Sequence, residues 1–133
     1  MLRGCLVLLL LCTAACNLQF GEPTPFPTPD FPQIDFETPA NNASIAEGSE
    51  LDILILAQDT TQGIARVELM VDDLPYRESQ PQISGAVPIF RVTMNWLAEG
   101  IGFHSLTAIA YRPDGTASRP RTINVLVTSE DGG

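Results

Sequence analysis

Few side chains in this sequence are equipped for chemistry. The chain has one histidine, His104, and no lysine. A catalytic triad around His104 needs a serine or cysteine nucleophile and an orienting carboxylate. Its neighbour Ser105 is no candidate, because adjacent residues of a strand point to opposite faces. No G-x-S-x-G turn occurs in the chain. The lack of lysine removes Schiff-base, P-loop and lysine-base mechanisms, and a single histidine removes any multi-histidine metal site. Carboxylates are more plentiful: Asp59 falls in a loop, Asp72-Asp73 follows an apolar run, and Asp114 lies in the turn Arg112-Pro113-Asp114-Gly115. Calcium wants about six to eight converging oxygens, often from a D-x-D-x-D-G loop, and no such run exists. Asp59 and Asp114 could meet at one end of a β-fold, yet turn formation explains each without a metal. A glycosidase pair needs two carboxylates across a cleft, which a small sandwich does not offer. The expectation is no catalytic residue, no metal and no cofactor.

The other reactive residues are Cys5, Cys12 and Cys16, all near the start. Arg3 gives a short positive region, Leu6 to Leu11 an unbroken apolar run, and Thr13-Ala14-Ala15 a small-residue exit. That is the layout of a secretory signal peptide, and the run is too short for the roughly 20 apolar residues of a membrane span. The stretch Leu11-Cys12-Thr13-Ala14-Ala15-Cys16 further resembles the lipobox of bacterial lipoproteins. Ala14, Ala15 and Cys16 match that pattern, while Thr13 stands where leucine is usual. Cys12 is no substitute, because Leu11 would occupy the position that must be small. The resemblance implies cleavage of residues 1–15 and a diacylglyceryl thioether on Cys16. It places the protein in the bacterial cell envelope, extracytoplasmic, held to the membrane through its N-terminal lipid. Cys5 and Cys12 then leave with the signal and Cys16 is consumed, so no disulfide is expected in the folded part. The sequon Asn42-Ala43-Ser44 would be idle in such a protein.

The elements that hold these residues read as follows. Residues 16–32 form a linker in which Pro23, Pro25, Pro27, Pro29 and Pro32 exclude helix and sheet. An extended polyproline II stalk is expected, reaching roughly 50 Å at about 3.1 Å per residue. Phe20, Phe26 and Phe31 are unusual in a pure spacer. From 33 to 128 the pattern is β throughout, with residues 129–133 as a tail. Val67, Leu69 and Val71 alternate with Arg66, Glu68 and Met70. Phe90, Val92, Met94 and Trp96 form a second inward set, and Ile123, Val125 and Val127 a third. Asn41-Asn42-Ala43 and Asp73-Leu74-Pro75 read as turns. About seven short antiparallel strands with regular turn signals predict an all-β sandwich of the immunoglobulin type.

Three further runs carry a resemblance. They are Gly63-Ile64-Ala65-Arg66-Val67-Glu68-Leu69-Met70-Val71-Asp72, Trp96-Leu97-Ala98-Glu99-Gly100, and Gly102-Phe103-His104-Ser105-Leu106-Thr107-Ala108-Ile109-Ala110-Tyr111. Together they resemble the bacterial immunoglobulin-like domains of surface and secreted proteins, over essentially all of 33–128. Asp73 stands where glycine is common, and Ala98 replaces the usual proline. The resemblance implies a structural strand position for His104 and is nearly silent about ligand, because such modules serve as spacers and adhesive units of many kinds.

Charge narrows the partners. Lys+Arg is 7 against Asp+Glu 16, a formal net charge of −9, which disfavours nucleic acid. Met70, Ile109, Tyr111 and Leu126 fall one position off the inward sets, so they are expected on one solvent-facing sheet surface, as a patch for a protein partner, a second copy or the Phe-bearing stalk folding back. The protein or glycan partner of the module as a whole is left unidentified. The resulting expectation is an envelope-anchored, non-catalytic immunoglobulin-like binding or structural module. Its alternative is a carbohydrate-binding or enzyme-accessory module, which exposure of Trp96 beside Tyr76 would favour.

Overall fold

The computed structural model describes residues 21–27 and 30–130. Cys16, the signal segment and the first part of the linker lie outside the described residues. Eight strands follow one another: β1 (Gln33–Thr38), β2 (Ala43–Ala46), β3 (Glu50–Gln58), β4 (Arg66–Val71), β5 (Leu74–Ser79), β6 (Ile89–Leu97), β7 (Gly102–Tyr111) and β8 (Arg121–Thr128). They form a three-stranded sheet, β1-β3-β6, and a five-stranded sheet, β2-β8-β7-β4-β5. All pairings are antiparallel except β2 with β8. The all-β sandwich is therefore present, with eight strands where the turn signals suggest about seven.

The core follows from period-two burial. Ile53, Ile55 and Ala57 of β3, with Met94 and Trp96 of β6, line the inner face of the smaller sheet. Val67 and Leu69 of β4, Leu106, Ala108 and Ala110 of β7, and Ile123, Val125 and Val127 of β8 line the facing sheet. Phe90 and Val92 are half-buried and pack against this cluster. Ile53, Ile55 and Ala57 share one buried cluster with Leu106, Ala108 and Ala110, so the two inner faces meet in a single core.

One expected turn is displaced and the other is kept. Asp73-Leu74-Pro75 is not the turn: Asp72 and Asp73 carry φ of 50° and 65°, and Val71 pairs directly with Leu74. Two consecutive positive φ values make the two-residue loop whose twist suits a hairpin, so Leu74 already belongs to β5. Pro75 is tolerated because β5 is an edge strand. Asn42, with φ 66°, closes the expected turn at 41–43, and a short strand follows it at once.

The register gives the sandwich two unlike poles. Gln33 and Ile89 both pair with Gln58 at the end where the linker enters. Gly102 pairs with Val127, and Ala46 with Thr128, at the end where β8 leaves. The first is the entry pole and the second the exit pole.

Candidate functional site

At the exit pole, His104 lies on the inner side of β7, its ring 5.3 Å from that of Trp96. Its Nδ1 is 2.6 Å from Asp72 Oδ2 and its Nε2 is 2.6 Å from the Gly100 carbonyl oxygen. Both partners can only accept, so the ring satisfies both by carrying two protons. The Asp72 carboxylate, then the Gly100 carbonyl, raise the His104 pKa above its ordinary value, against an opposing contribution from burial. The other Asp72 oxygen accepts the Ser105 backbone N–H at 3.0 Å. This acid–base pair thus joins the β4–β5 hairpin to β7, and no hydroxyl or thiol is among the atoms it bonds. The arrangement fastens the hairpin; it does not activate a nucleophile.

At the entry pole, Arg112 and Asp59 form a buried pair. Arg112 Nε donates to Asp59 Oδ2 at 2.5 Å and NH2 to Oδ1 at 3.1 Å, with side chains only 5% and 2% exposed. Arg112 holds the Asp59 carboxyl below the usual range, assisted by the Thr61 N–H and opposed by burial. The same guanidinium reaches Asp30 of the linker at 2.9 Å. Asp114 instead accepts the Thr116 N–H at 2.9 Å, which lowers its pKa and holds the turn. Each carboxylate is engaged separately, so the two do not make the joint oxygen cluster considered from the sequence. The pairing of Asp59 with Arg112 leaves no local signal, because 53 residues separate the partners.

The expected partner patch lies on the outer face of the five-stranded sheet, but not as one exposed surface. Met70, Ile109, Tyr111 and Leu126 are all half-buried. Met70 and Ile109 are diagonal neighbours, since Met70 pairs with Thr107 and Ile109 with Glu68. Tyr111 lies beneath the Arg66 guanidinium, 3.6 Å from the ring centroid, and its hydroxyl donates to Glu68 at 3.3 Å. Burial, then the Glu68 charge, raises the Tyr111 pKa. Arg66 also lies 3.4 Å from Glu78. A cation and two carboxylates therefore cover this end of the patch. Leu126 belongs elsewhere, opposite Phe103 near the exit pole. Phe103 is 67% exposed and Ile101, two residues before it, 66%. Sequence reasoning missed both, although the alternation that places Ile109 outward places Phe103 outward as well.

Trp96 is 6% exposed, as its inward phase predicts, and so offers no platform to a sugar ring. Tyr76 is 40% exposed on β5, with the Arg77 guanidinium 5.5 Å from its ring centroid.

A family model described as a bacterial Ig domain matches residues 32–108. The fibronectin(III)-like modules of Clostridium thermocellum CbhA are 25% identical, over 73% of this chain and 98% of theirs, with a TM-score of 0.61. The SrpA adhesin of Streptococcus sanguinis aligns over 80% of this chain and 61% of its own at 15% identity and a TM-score of 0.57. The PKD domain of an M14-like peptidase from a Thermoplasmatales archaeon aligns over 74% and 94% at 12% identity and a TM-score of 0.56. The last two likenesses speak for the fold alone. No curated protein matches the chain in sequence.

Proposed function

The chain belongs to the bacterial Ig domain family, and from that premise we propose that it is a lipid-anchored protein of the bacterial cell envelope, carrying one non-catalytic immunoglobulin-like module for binding or structural support. The observation that carries this reading is the order of parts in the sequence: a lipobox-like stretch ending at Cys16, a proline-rich linker, and a single sandwich. Several acyl chains, at about 0.8 kcal/mol per buried CH₂, would hold the protein far more firmly than one chain does. The family and the fold relatives support a module that binds or spaces rather than catalyses. A glycan-binding role draws no support from Trp96, which is buried.

The test is metabolic labelling with a clickable fatty acid in a bacterial host expressing the full chain. Wild type takes up label and fractionates with membrane. Cys16→Ser loses the label and yields uncleaved or soluble protein, since no other residue suits the thioether. Label that survives in the variant overturns the anchored reading.

A further inference from the structure

The exit pole combines apolar exposure with a net excess of carboxylates, its one cation, His104, being spent on Asp72. Phe103 and Ile101 are each about two-thirds exposed, and Leu126 stands across from Phe103 on β8. Carboxylates stand on the loops and turns of the same pole. Glu99 lies in the loop that delivers Ile101, and Asp73 sits in the hairpin turn that the bond between the Asp72 N–H and the Ser105 carbonyl oxygen ties to β7, the Asp72 carboxylate itself being taken up by His104. Glu47 bonds the Thr128 carbonyl oxygen through its own N–H, and Glu130 follows the end of β8. No lysine exists to balance them. The nearest arginine on the sheet, Arg77, stands at mid-strand opposite Leu69, while Arg66 and Arg121 begin their strands at the entry pole.

We propose that this surface, centred on Phe103 with Ile101 and Leu126, docks a cationic amphipathic polypeptide segment. The apolar side chains supply area that an ordinary solvent face would fill with polar residues. The acidic rim selects the sign of the partner. A second copy of this chain is a poor occupant: pole to pole, identical acidic rims would face each other, and head to tail, the entry-pole arginines Arg66, Arg112 and Arg121 are already engaged, by Glu78, Asp59 and Asp35 respectively. Anionic lipid and nucleic acid are excluded on the same ground. The site rests on the reading of the module as a binding domain and gives that reading a partner chemistry.

The probe is a synthetic peptide of alternating lysine and leucine, titrated into the full chain in non-ionic detergent and read by fluorescence anisotropy against a detergent blank. A lysine–serine peptide of equal charge is the control. Wild type is expected to bind the lysine–leucine peptide at least tenfold more tightly than the control. Ile101→Ser with Phe103→Ser is expected to lose about tenfold in affinity for the first peptide at unchanged melting temperature. If the double variant melts early, Phe103→Ser alone applies the same test at a largely exposed side chain. No binding by wild type, equal binding of the two peptides, or affinity undiminished in the variants each overturns the proposal. Such a failure leaves an anchored structural spacer standing, whereas loss of the anchor is read separately through the fatty-acid label.

Discussion

At the scale of single residues, His104 shows how one side chain acts structurally where a sequence scan first looks for catalysis. Its two nitrogens face a carboxylate and a carbonyl, both acceptors. The folded state therefore binds the second proton more tightly than the unfolded chain, whose pKa is near 6.5. Linkage fixes the sign: the raised pKa contributes stability fully present below about pH 6.5 and lost as pH rises through the folded value. Melting temperature is thus expected to fall as the buffer is taken from mildly acidic to alkaline. His104→Gln should flatten that slope, since glutamine keeps polarity and does not titrate. A slope that persists in the variant would assign the pH dependence to other groups. The sequence offers His104 no nucleophile, and its structural strand position is what the resemblance to bacterial immunoglobulin-like domains implies. The sequence does not reveal Asp72 as the partner, which only the positive-φ hairpin turn brings within reach of β7.

At the scale of elements, the glycine before β4 sets how the two sheets are joined. Gly63 has φ of 84°, and a Cβ there would stand 2.9 Å from the Ala86 Cβ and 3.2 Å from the Ala86 carbonyl carbon. The close approach lets Ile64, fully buried, pair with Val87 across the loops. Gly63→Ala meets both the left-handed backbone and the crowding, and is expected to destabilise by about 2–3 kcal/mol in chemical denaturation. A variant as stable as wild type would mean that the 86–87 segment yields freely. Strands β3, β4, β6, β7 and β8 can be read from sequence because each buries one face and alternates accordingly. Strands β2 and β5 cannot. The first has four residues and pairs in parallel with a strand some eighty positions on. The second is exposed along nearly all its length, so burial prints no period on it. The partner patch is legible only in part for a related reason. Alternation gives the face, but it does not give the cross-strand neighbours that put Arg66 over Tyr111 and Phe103 beside Leu126.

At the scale of the whole molecule, the question is what holds two sheets and a linker in one arrangement without a cysteine between residues 17 and 133. Apolar burial does most of this, and the entry pole adds one concentrated polar contact. Asp59 follows β3 of the smaller sheet, Arg112 follows β7 of the larger, and Asp30 comes from the linker, so a single guanidinium touches all three parts. The three contacts are unequal. Asp30 is 57% exposed, where water screens the pair, and Asp30→Asn is expected to cost no more than about 1 kcal/mol. Asp59 is almost wholly buried, and removing its charge leaves Arg112 desolvated with only Asp30 to answer it. Asp59→Asn is therefore expected to cost about 3–5 kcal/mol, a large part of the roughly 5–15 kcal/mol typical of a domain. Acid acts by the same route. The Asp59 pKa is depressed on folding, so its contribution is present above the ordinary value of 3.8 and lost as pH falls through the folded value. Urea titrations of wild type, Asp30→Asn and Asp59→Asn at neutral pH, repeated in acid, separate these contributions. The gap between wild type and Asp59→Asn should narrow once Asp59 itself is protonated in the folded wild type. A gap that stays constant into strong acid would show that the asparagine costs packing rather than charge, and the joint between sheets and linker would then be steric rather than electrostatic.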